Sequence, residues 1–359
     1  MANKKVGILN FQYSEHNYGA VLQAAALEFT LKKLGYDAEH INFIPKSKIS
    51  FKGKLKNILI KLKIMAPINT GKYQNGTVFE DFRTKFLTRS AKVETEEQFQ
   101  QLSEAYAAIV VGSDQVWRPK MAAEPAVYFL KYVPKHVDRV AYAVSFGTAQ
   151  WELAKDDPIT KMAKEEANNF KAISCRESSG LDICNDVFGV SGIHVLDPLL
   201  LVDDEFIEKV IANAKPSPSK LVYYKLGSDE EFKEMLAEME KNYNYSAKNI
   251  YTRDDGLNEY ETVSQWVRNI YDCEVVITDS FHCICLGLRF GKQVIYYPNP
   301  ERGQARLDDL FKLFSIKKEQ QNSDNKVSYL LTHDGTDGLH LKIRKMRDIS
   351  RTFITSALN

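Results

Sequence analysis

The sequence predicts an α/β protein with two domains, each built on a parallel sheet, that face each other across a central cleft. Three observations predict this class. Short apolar and β-branched runs alternate with helical segments, as is typical of parallel sheets. At 359 residues, the chain exceeds the usual size of one domain. One stretch rich in proline and serine, residues 215–219, interrupts the alternation as a linker would.

These observations set the domain limits that we expect. The N-terminal domain should cover residues 1–214 and the C-terminal domain residues 215–335. An amphipathic pattern near the end predicts a last helix, so residues 336–359 should pack back across the domains. In such a protein the best polar turns should meet in the cleft, because ligands bind at the carboxyl ends of parallel strands.

The N-terminal domain begins with a strand, a helix and a second strand. Gly19 lies in the turn before the helix, beside Asn17, and would let a ligand or another backbone approach closely. On its own this is weak, since a glycine before a helix is usually just a turn. The chain has neither a G-x-G-x-x-G dinucleotide fingerprint nor a P-loop motif. Strands are predicted at 5–11, 38–43, 107–111, 139–144, 172–175 and 193–196, and helices at 20–34, 78–86, 96–102 and 158–170.

Polar turns follow several of these strands. Residues 112–117 combine small and polar groups with a tryptophan, a set that suits a ligand rich in hydroxyls, with the aromatic face covering a sugar ring. The alternative is a helix cap followed by a core Trp117. A second turn of this kind, residues 145–148, follows the next strand. Arg176 stands at the start of a helix, an end that favours anions, so it indicates either an anion clamp or a partner of Glu177.

The C-terminal domain contains residues 274–292, which we expect to form the centre of the site. A buried strand there leads through a tight turn into a helix, and the free N–H groups at a helix start favour an anion. His282 lies in the first turn of that helix, so it is either an acid/base group or a histidine that merely caps or packs the turn. The domain should also have strands at 220–224, 249–251 and 293–296, helices at 229–242, 259–271 and 306–314, and a polar loop at 317–326.

Composition narrows the class of protein. A net charge of +1 gives no argument for nucleic-acid binding. Five cysteines without disulfide-like spacing, and no apparent signal peptide, favour a cytoplasmic location. We expect no metal site, since Cys283 and Cys285 suit packing better. Residues 45–65 contain seven lysines and no acidic residue. The amphipathic helix predicted at about 52–65 either binds the inner face of the membrane or is an ordinary surface helix.

Taken in order, the motifs resemble the polysaccharide pyruvyl transferase family over about residues 6–314. The resemblance implies a glycosyltransferase-B-like pair of Rossmann-like domains. It also implies transfer of pyruvate from phosphoenolpyruvate to two hydroxyls of a sugar in a capsule or exopolysaccharide precursor, as a ketal, without metal or cofactor. The segments that carry it are Asn17-Tyr18-Gly19-Ala20, residues 111–117, Ser145-Phe146-Gly147, Ser174 with Arg176-Glu177, Asp197-Pro198 and residues 278–282.

Site roles follow from this resemblance and from the charges of the donor. His282 is expected to be the acid/base group, with Asp279 orienting or assisting it. The donor side should comprise Arg176, Arg306, Ser280, Ser145 and Gly147. The acceptor side should comprise Asn17, Gly19, Ser113, Asp114, Gln115 and Trp117.

Two departures from the family pattern affect these roles. Cys283 stands where many members have glycine, which would narrow the space at the helix start. Ser280-Phe281 stands where one branch has Arg-Leu, so an arginine contact to the donor is missing. Arg289, Arg302 and Arg306 are candidates to replace it, with Arg306 favoured because members often carry an arginine after the histidine helix.

Two other functions stay open at this point. One is a nucleotide-sugar glycosyltransferase of the same fold, and the other is a non-catalytic protein that binds a glycan or lipid. The acceptor sugar, and whether a lipid diphosphate carries it, are also open.

Overall fold

The structure is a computed structural model that describes residues 4–44, 75–225, 230–252, 259–299, 304–320, 328–333 and 335–359. The predicted basic helix at 52–65 and the candidate Arg302 lie outside these ranges.

Six parallel strands form the first sheet within the described ranges, in the order β2-β1-β3-β4-β5-β6. We call the part of the chain that builds it the N-terminal half. The strands are mostly apolar and buried, as expected where helices cover both faces of a parallel sheet. Their bounds are β1 Lys5–Leu9, β2 Asp37–His40, β3 Ala108–Val111, β4 Asp138–Val144, β5 Ala172–Cys175 and β6 Ile193–His194.

A second sheet of six described strands follows the linker, in the order β11-β12-β10-β9-β7-β8, and forms the C-terminal half. Strands β7, β8, β9 and β10 pair in parallel, whereas β12 is antiparallel to both β10 and β11. The bounds are β7 Leu221–Tyr224, β8 Ala247–Asn249, β9 Val275–Thr278, β10 Gln293–Tyr296, β11 Lys317–Gln320 and β12 Tyr329–Thr332.

Helices pack on both sheets. In the N-terminal half they are α1 Tyr18–Lys33, α2 Val78–Phe86, α3 Glu96–Ser103, α4 Pro125–Tyr128, α5 Pro158–Ala167, α6 Ser178–Ile183, α7 Pro198–Leu201 and α8 Asp204–Ile211. After the linker they are α9 Glu230–Tyr243, α10 Val263–Asp272, α11 Phe281–Arg289, α12 Ala305–Phe314 and α13 Thr336–Leu358.

The two halves meet at the start of α1. The Tyr18 ring stacks on Trp266 at a centroid distance of 5.0 Å, and its hydroxyl donates to the backbone oxygens of Tyr251 and Glu261. Burial strongly raises the pKa of Tyr18, so the phenol stays a neutral donor. One hydrophobic cluster therefore runs through both halves rather than ending at the linker.

The last helix, α13, contacts both halves. His340 lies 3.1 Å from the carbonyl of Arg289 in the C-terminal half. Further along the helix, the Ser350 hydroxyl accepts a hydrogen bond from the backbone N–H of Leu196 in the N-terminal half. Among the described helices, none combines the length and the apolar character needed to cross a bilayer.

The prediction of a polar loop over 317–326 is wrong at its start. Residues Lys317–Gln320 form the edge strand β11, and all four are exposed. Because no face of this strand is buried, its sequence lacks the apolar alternation that predicts a strand. The C-terminal sheet is consequently not wholly parallel, and it has as many described strands as the sheet of the N-terminal half.

Candidate active site

A cleft of about 770 Å³ lies where the carboxyl ends of both sheets converge. This is the place that strand-end chemistry predicts for a ligand. The N-terminal half contributes the loop after β1, part of α2 and the turn after β3. The C-terminal half contributes the end of β7, the start of α11 and the start of α12. The charged residues among its lining are Glu15, His16, Glu80, Arg83, Arg89, Asp114, Arg118, Asp279, His282 and Arg306.

Arg176 is the centre of a buried ionic cluster below the cleft. Its guanidinium donates to Asp197 at 2.9 Å and to Asp114 at 3.0 Å, while its Nε lies 3.7 Å from Glu177. Burial would lower the pKa of Arg176, but these three carboxylates raise it, so the guanidinium stays charged. Its side chain is 1% exposed and does not line the cleft. The structure therefore shows the pairing with Glu177 together with two further carboxylates, and it leaves no open face for a donor anion.

His282 lies in the first turn of α11, within the cleft wall. Its Nε2 is 3.5 Å from Oδ2 of Asp197. Besides the bond from Arg176, Asp197 accepts hydrogen bonds from Ser113, at 3.3 Å, and from the backbone N–H of Leu199. Burial raises the pKa of Asp197, but the charges of His282 and Arg176 outweigh it and hold this pKa well below its usual value. A permanent carboxylate thus faces the imidazole.

Gly19 lies against the other side of the His282 ring. A Cβ atom added at Gly19 would lie 2.1 Å from Nδ1 of His282 and 2.5 Å from its Cγ. Only glycine leaves room for the ring at this point, so the close approach expected at Gly19 is made by His282. Gly19 itself is not part of the cleft lining. Asn17 caps α1 by accepting from the backbone N–H of Ala20, and it does line the cleft.

Arg306, on α12, is the arginine of the cleft lining that has no carboxylate partner among the described residues. The other lining arginines are paired: Arg83 and Arg89 with Glu80, and Arg118 with Glu152. The Nε of Arg306 is buried without a hydrogen-bond partner. Burial and the charge of Arg176 lower the pKa of Arg306 to about 10, which still leaves it protonated at neutral pH.

Both central arginines lie against the same aromatic ring, that of Phe281. The Cζ of Arg176 lies 4.7 Å from the centroid of Phe281, and the Cζ of Arg306 lies 5.6 Å from the same centroid. Phe281 and Ser280 begin α11, and the Ser280 side chain makes no capping hydrogen bond. An unpaired guanidinium, His282 and an uncapped helix start therefore converge on one place, a combination suited to an anion.

The orienting role predicted for Asp279 is wrong in its geometry. Asp279 lines the cleft, but its Oδ2 accepts from Lys225 at 3.3 Å and from Asn299 at 3.1 Å. The carboxylate beside His282 is Asp197 instead, because β6 delivers it to the same strand-end edge. The Oδ1 of Asp279 is buried without a partner, so an assisting role for Asp279 at the cleft stays a prediction.

Two residues expected on the donor side lie behind the cleft. The hydroxyl of Ser145 donates to Glu177 at 2.8 Å, and the N–H of Gly147 donates to the same carboxylate at 3.2 Å. Gly147 has φ +70°, a conformation that glycine adopts without strain, and its Cα faces the Gln115 side chain. This turn wraps Glu177, so Ser145 and Gly147 support the ionic cluster and do not line the cleft.

The acceptor-side prediction is wrong for two of the four residues in the 112–117 turn. Trp117 is fully buried, stacks on Phe129 at 4.8 Å and donates its indole N–H to the Tyr128 carbonyl, so it is the core tryptophan of the alternative interpretation. Ser113 is also fully buried. Asp114 and Gln115 do line the cleft, Asp114 as a partner of Arg176.

Sequence reasoning missed several residues of this site. Asp197 is one of them; its position directly after a short strand is the signal in the sequence that could have found it. Arg118 was missed because its role depends on partners that are distant in sequence, Glu152 in particular. Lys225 was missed for the same reason, since Asp279 comes from another strand. Arg306, by contrast, follows from the family pattern.

The described cysteines are all buried and free of disulfides. Cys283 belongs to the hydrophobic core rather than to the cleft lining, so the expected narrowing at the helix start does not occur there. Burial raises the pKa of its thiol, which keeps it protonated. No group of three or more metal-ligating side chains occurs among the residues that the structure describes.

Comparison with known proteins adds a family and a fold. A family model described as polysaccharide pyruvyl transferase matches residues 17–301. Proteins of curated function give no match. A solved structure of a putative UDP-N-acetylglucosamine 2-epimerase from Listeria monocytogenes aligns with a TM-score of 0.51 at 8% identity, covering 99% of this chain and 91% of that one.

A second epimerase structure, from Neisseria meningitidis with bound UDP-GlcNAc, has a TM-score of 0.46 at 10% identity, with coverages of 99% and 94%. At such identities the likeness concerns the fold alone. The likeness to the Listeria monocytogenes structure confirms the predicted glycosyltransferase-B-like arrangement of two α/β units around a cleft.

Proposed function

Because the chain belongs to the polysaccharide pyruvyl transferase family, we propose that it transfers the pyruvyl group of phosphoenolpyruvate to two hydroxyls of one sugar. The product would be a pyruvate ketal on a capsule or exopolysaccharide precursor, with release of phosphate. The family supports pyruvyl transfer to polysaccharide in general. The donor, the ketal and the precursor are our proposal, as is the absence of any cofactor beyond phosphoenolpyruvate.

The observation that carries the proposal is the unpaired Arg306 beside His282 and the start of α11. Phosphoenolpyruvate brings a phosphate and a carboxylate. Among the described residues, the guanidinium of Arg306 lines the cleft without an ion pair that an anion would have to break. The N–H groups at the start of α11 favour the same ligand. Arg176 contributes indirectly in this proposal: it packs against Phe281 at the start of α11 and does not bind the donor anion itself.

The reaction needs a proton donor. Protonation at C3 of the enol makes C2 electrophilic, and one sugar hydroxyl then attacks C2. Phosphate leaves, the second hydroxyl attacks the same carbon, and the ketal is complete. Of the two hydroxyl protons, one balances the proton gained at C3 and the other leaves with phosphate. We assign these transfers to His282, the imidazole that lines the cleft at this place.

Asp197 acts as the positioning residue for His282 in this proposal. A buried carboxylate 3.5 Å from Nε2 holds the orientation of the ring, as carboxylates do for catalytic histidines elsewhere. Asp279, bound to Lys225, holds a second buried charge pair at the cleft wall, and we propose that it assists on the hydroxyl side.

The acceptor should occupy the wall of the cleft that the N-terminal half supplies. Gln115, Asn17 and Asp114 are polar lining residues there. The cleft volume of about 770 Å³ exceeds what phosphoenolpyruvate alone fills, and it is within the range of sites for drug-sized ligands. That size supports a sugar acceptor beside the donor.

The decisive experiment is phosphate release from phosphoenolpyruvate with a panel of free and lipid-diphosphate-linked mono- and disaccharides. Mass spectrometry of the product checks for the gain of one pyruvyl ketal. The matched variant is His282→Ala, which should lose roughly 100- to 10,000-fold in turnover while keeping its fold. Transfer from a nucleotide sugar with no phosphoenolpyruvate consumption would overturn the proposal.

We also propose peripheral contact with the inner face of the membrane through the lysine-rich segment at 52–65. The support is compositional, because residues 45–65 carry seven lysines without an acidic residue. Replacing those lysines by glutamine should weaken binding to vesicles containing anionic phospholipid. Unchanged binding would leave the segment with no membrane role.

A further inference from the structure

An ionic contact outside the cleft joins α12 to the N-terminal half. Asp309 of α12, in the C-terminal half, accepts from both the backbone N–H and the hydroxyl of Ser178, which begins α6 in the N-terminal half. The N–H bond is 3.0 Å long. The other carboxylate oxygen of Asp309 lies 3.1 Å from Nε2 of His194. These three residues, which we call the latch, come from three different elements.

The two oxygen atoms around Nε2 of His194 determine that this ring nitrogen carries a hydrogen. Nε2 of His194 faces two oxygens, that of Asp309 and the carbonyl of Arg176 at 3.0 Å, so this nitrogen must carry a hydrogen. Asp309 is buried, its side chain being 8% exposed. Removing it would leave the α12 side of the contact without a bond to α6 or to β6.

The latch stands one helical turn from Arg306. Arg306 and Asp309 are three residues apart on α12, so they share one face of the helix. On the other side of the contact, Ser178 follows Arg176 by two residues. The latch therefore ties the helix that carries the free arginine to the segment that carries the buried arginine.

Arg306 needs such a tie because no carboxylate of the described ranges pairs with it. The positive charge of Arg176 repels it, and among the described residues its guanidinium is not bonded to an acid. If α12 were not anchored, the Arg306 side chain would be more stable turned toward water, where its charge is hydrated. With α12 anchored, the guanidinium stays beside Phe281, where an anion can neutralise it.

We propose that Asp309 is a positioning residue, which docks α12 on Ser178 and His194 and thereby holds Arg306 in place for the anionic donor. This inference rests on the proposed function and deepens it. It assigns donor affinity to a residue that does not line the cleft.

The test is a double-mutant cycle on binding of phosphoenolpyruvate, measured by titration calorimetry on the full chain. Asp309→Ala should weaken binding about tenfold or more in the wild-type background, as expected when one charge-assisted contact is lost. In the Arg306→Ala background the same change should have almost no further effect, because Asp309 acts through Arg306. Equal losses in both backgrounds, or no loss in either, would overturn the proposal.

Two further variants guard against trivial results. Asp308→Ala removes the neighbouring carboxylate, which is 55% exposed and pairs with Lys318, and it should leave binding unchanged. Ser178→Ala keeps the backbone N–H and should fold even if Asp309→Ala does not. It should weaken binding by less than Asp309→Ala, and a larger loss would contradict the latch.

Amide hydrogen exchange separates this inference from the proposed function. If wild-type protein does not bind phosphoenolpyruvate, the proposed function fails, and exchange alone decides on the latch. Faster exchange of the α12 and α6 amides in Asp309→Ala, relative to Asp308→Ala, would support the docking role. Unchanged exchange in both helices would overturn it.

Discussion

Replacing Gly19 by alanine tests how the two halves place His282. The added methyl carbon would lie 2.1 Å from Nδ1, 2.5 Å from Cγ and 2.7 Å from Cβ of His282. Ordinary contact between such atoms begins near 3.5 Å, so the ring or the start of α1 must move by roughly 1 Å. A misplacement of about 1 Å can cost about 100-fold in rate, equivalent to about 2.7 kcal/mol in the activation free energy.

The same change should affect stability much less. Overpacking costs about 1–3 kcal/mol, but alanine loses less backbone entropy than glycine on folding, a gain of at most roughly 0.5–1 kcal/mol in this first turn of α1. The two effects partly cancel, so Gly19→Ala should stay folded at the assay temperature. The measurements are turnover of phosphoenolpyruvate at saturating acceptor and the free energy of unfolding in urea.

Gly76→Ala is the matched control, since an added Cβ at Gly76 meets no atom within 4 Å. It should change turnover little and stability by less than about 0.5 kcal/mol. Turnover of Gly19→Ala close to that of Gly76→Ala would refute the reasoning. His282 would then not depend on its contact with α1.

Three other predictions follow from buried groups. Asp197→Ala should cost about 3–5 kcal/mol in unfolding free energy, measured in urea, because it removes one carboxylate from the buried Arg176; a loss below about 1 kcal/mol would contradict the cluster. Trp117→Ala should cost about 3–5 kcal/mol without changing the KM for acceptor, whereas a raised KM with intact stability would place the ring in the cleft after all. Burial alone would lower the pKa of His194, but Asp309, and to a lesser degree Glu177, raise it above its usual value. The pairing of His194 with Asp309 therefore stabilises the fold fully below about pH 6.5, and this stabilisation is lost as the pH rises through the raised pKa. The lowered pKa of Asp309 means that its own contribution is lost as the pH falls below about 4, and His194→Gln should remove the alkaline slope in urea midpoints taken across the pH range.

The sequence was sufficient to predict the order of the buried elements. Strands such as β5 and β10 are short apolar runs between polar turns, and the structure has them within the predicted residues. The exposed β11 could not be found this way, because its stability comes from pairing with β12 rather than from burial. Periodicity reports burial, and an edge strand without a buried face has no such signal.

Which turn residues would face the cleft was harder to predict. In the turn after β3, Asp114 has φ +77°, and the two residues that line the cleft, Asp114 and Gln115, lie between the buried Ser113 and Trp117. A left-handed backbone conformation at one residue changes the direction in which the neighbouring side chains point. Neither composition nor spacing predicts such a conformation. The pair of His282 and Asp197 is separated by 85 positions and by the linker, so only the folded chain brings it together.

The stacking of Tyr18 on Trp266 has a consequence for building hybrids of related enzymes. The linker at 215–219 looks like a natural point at which to exchange one half for that of a relative. Yet Tyr18 and Gly19, both in the first turn of α1, are shaped to Trp266 and His282 across the boundary. A chimera cut at the linker would therefore inherit a mismatched contact at His282, unless that first turn is exchanged together with the C-terminal half.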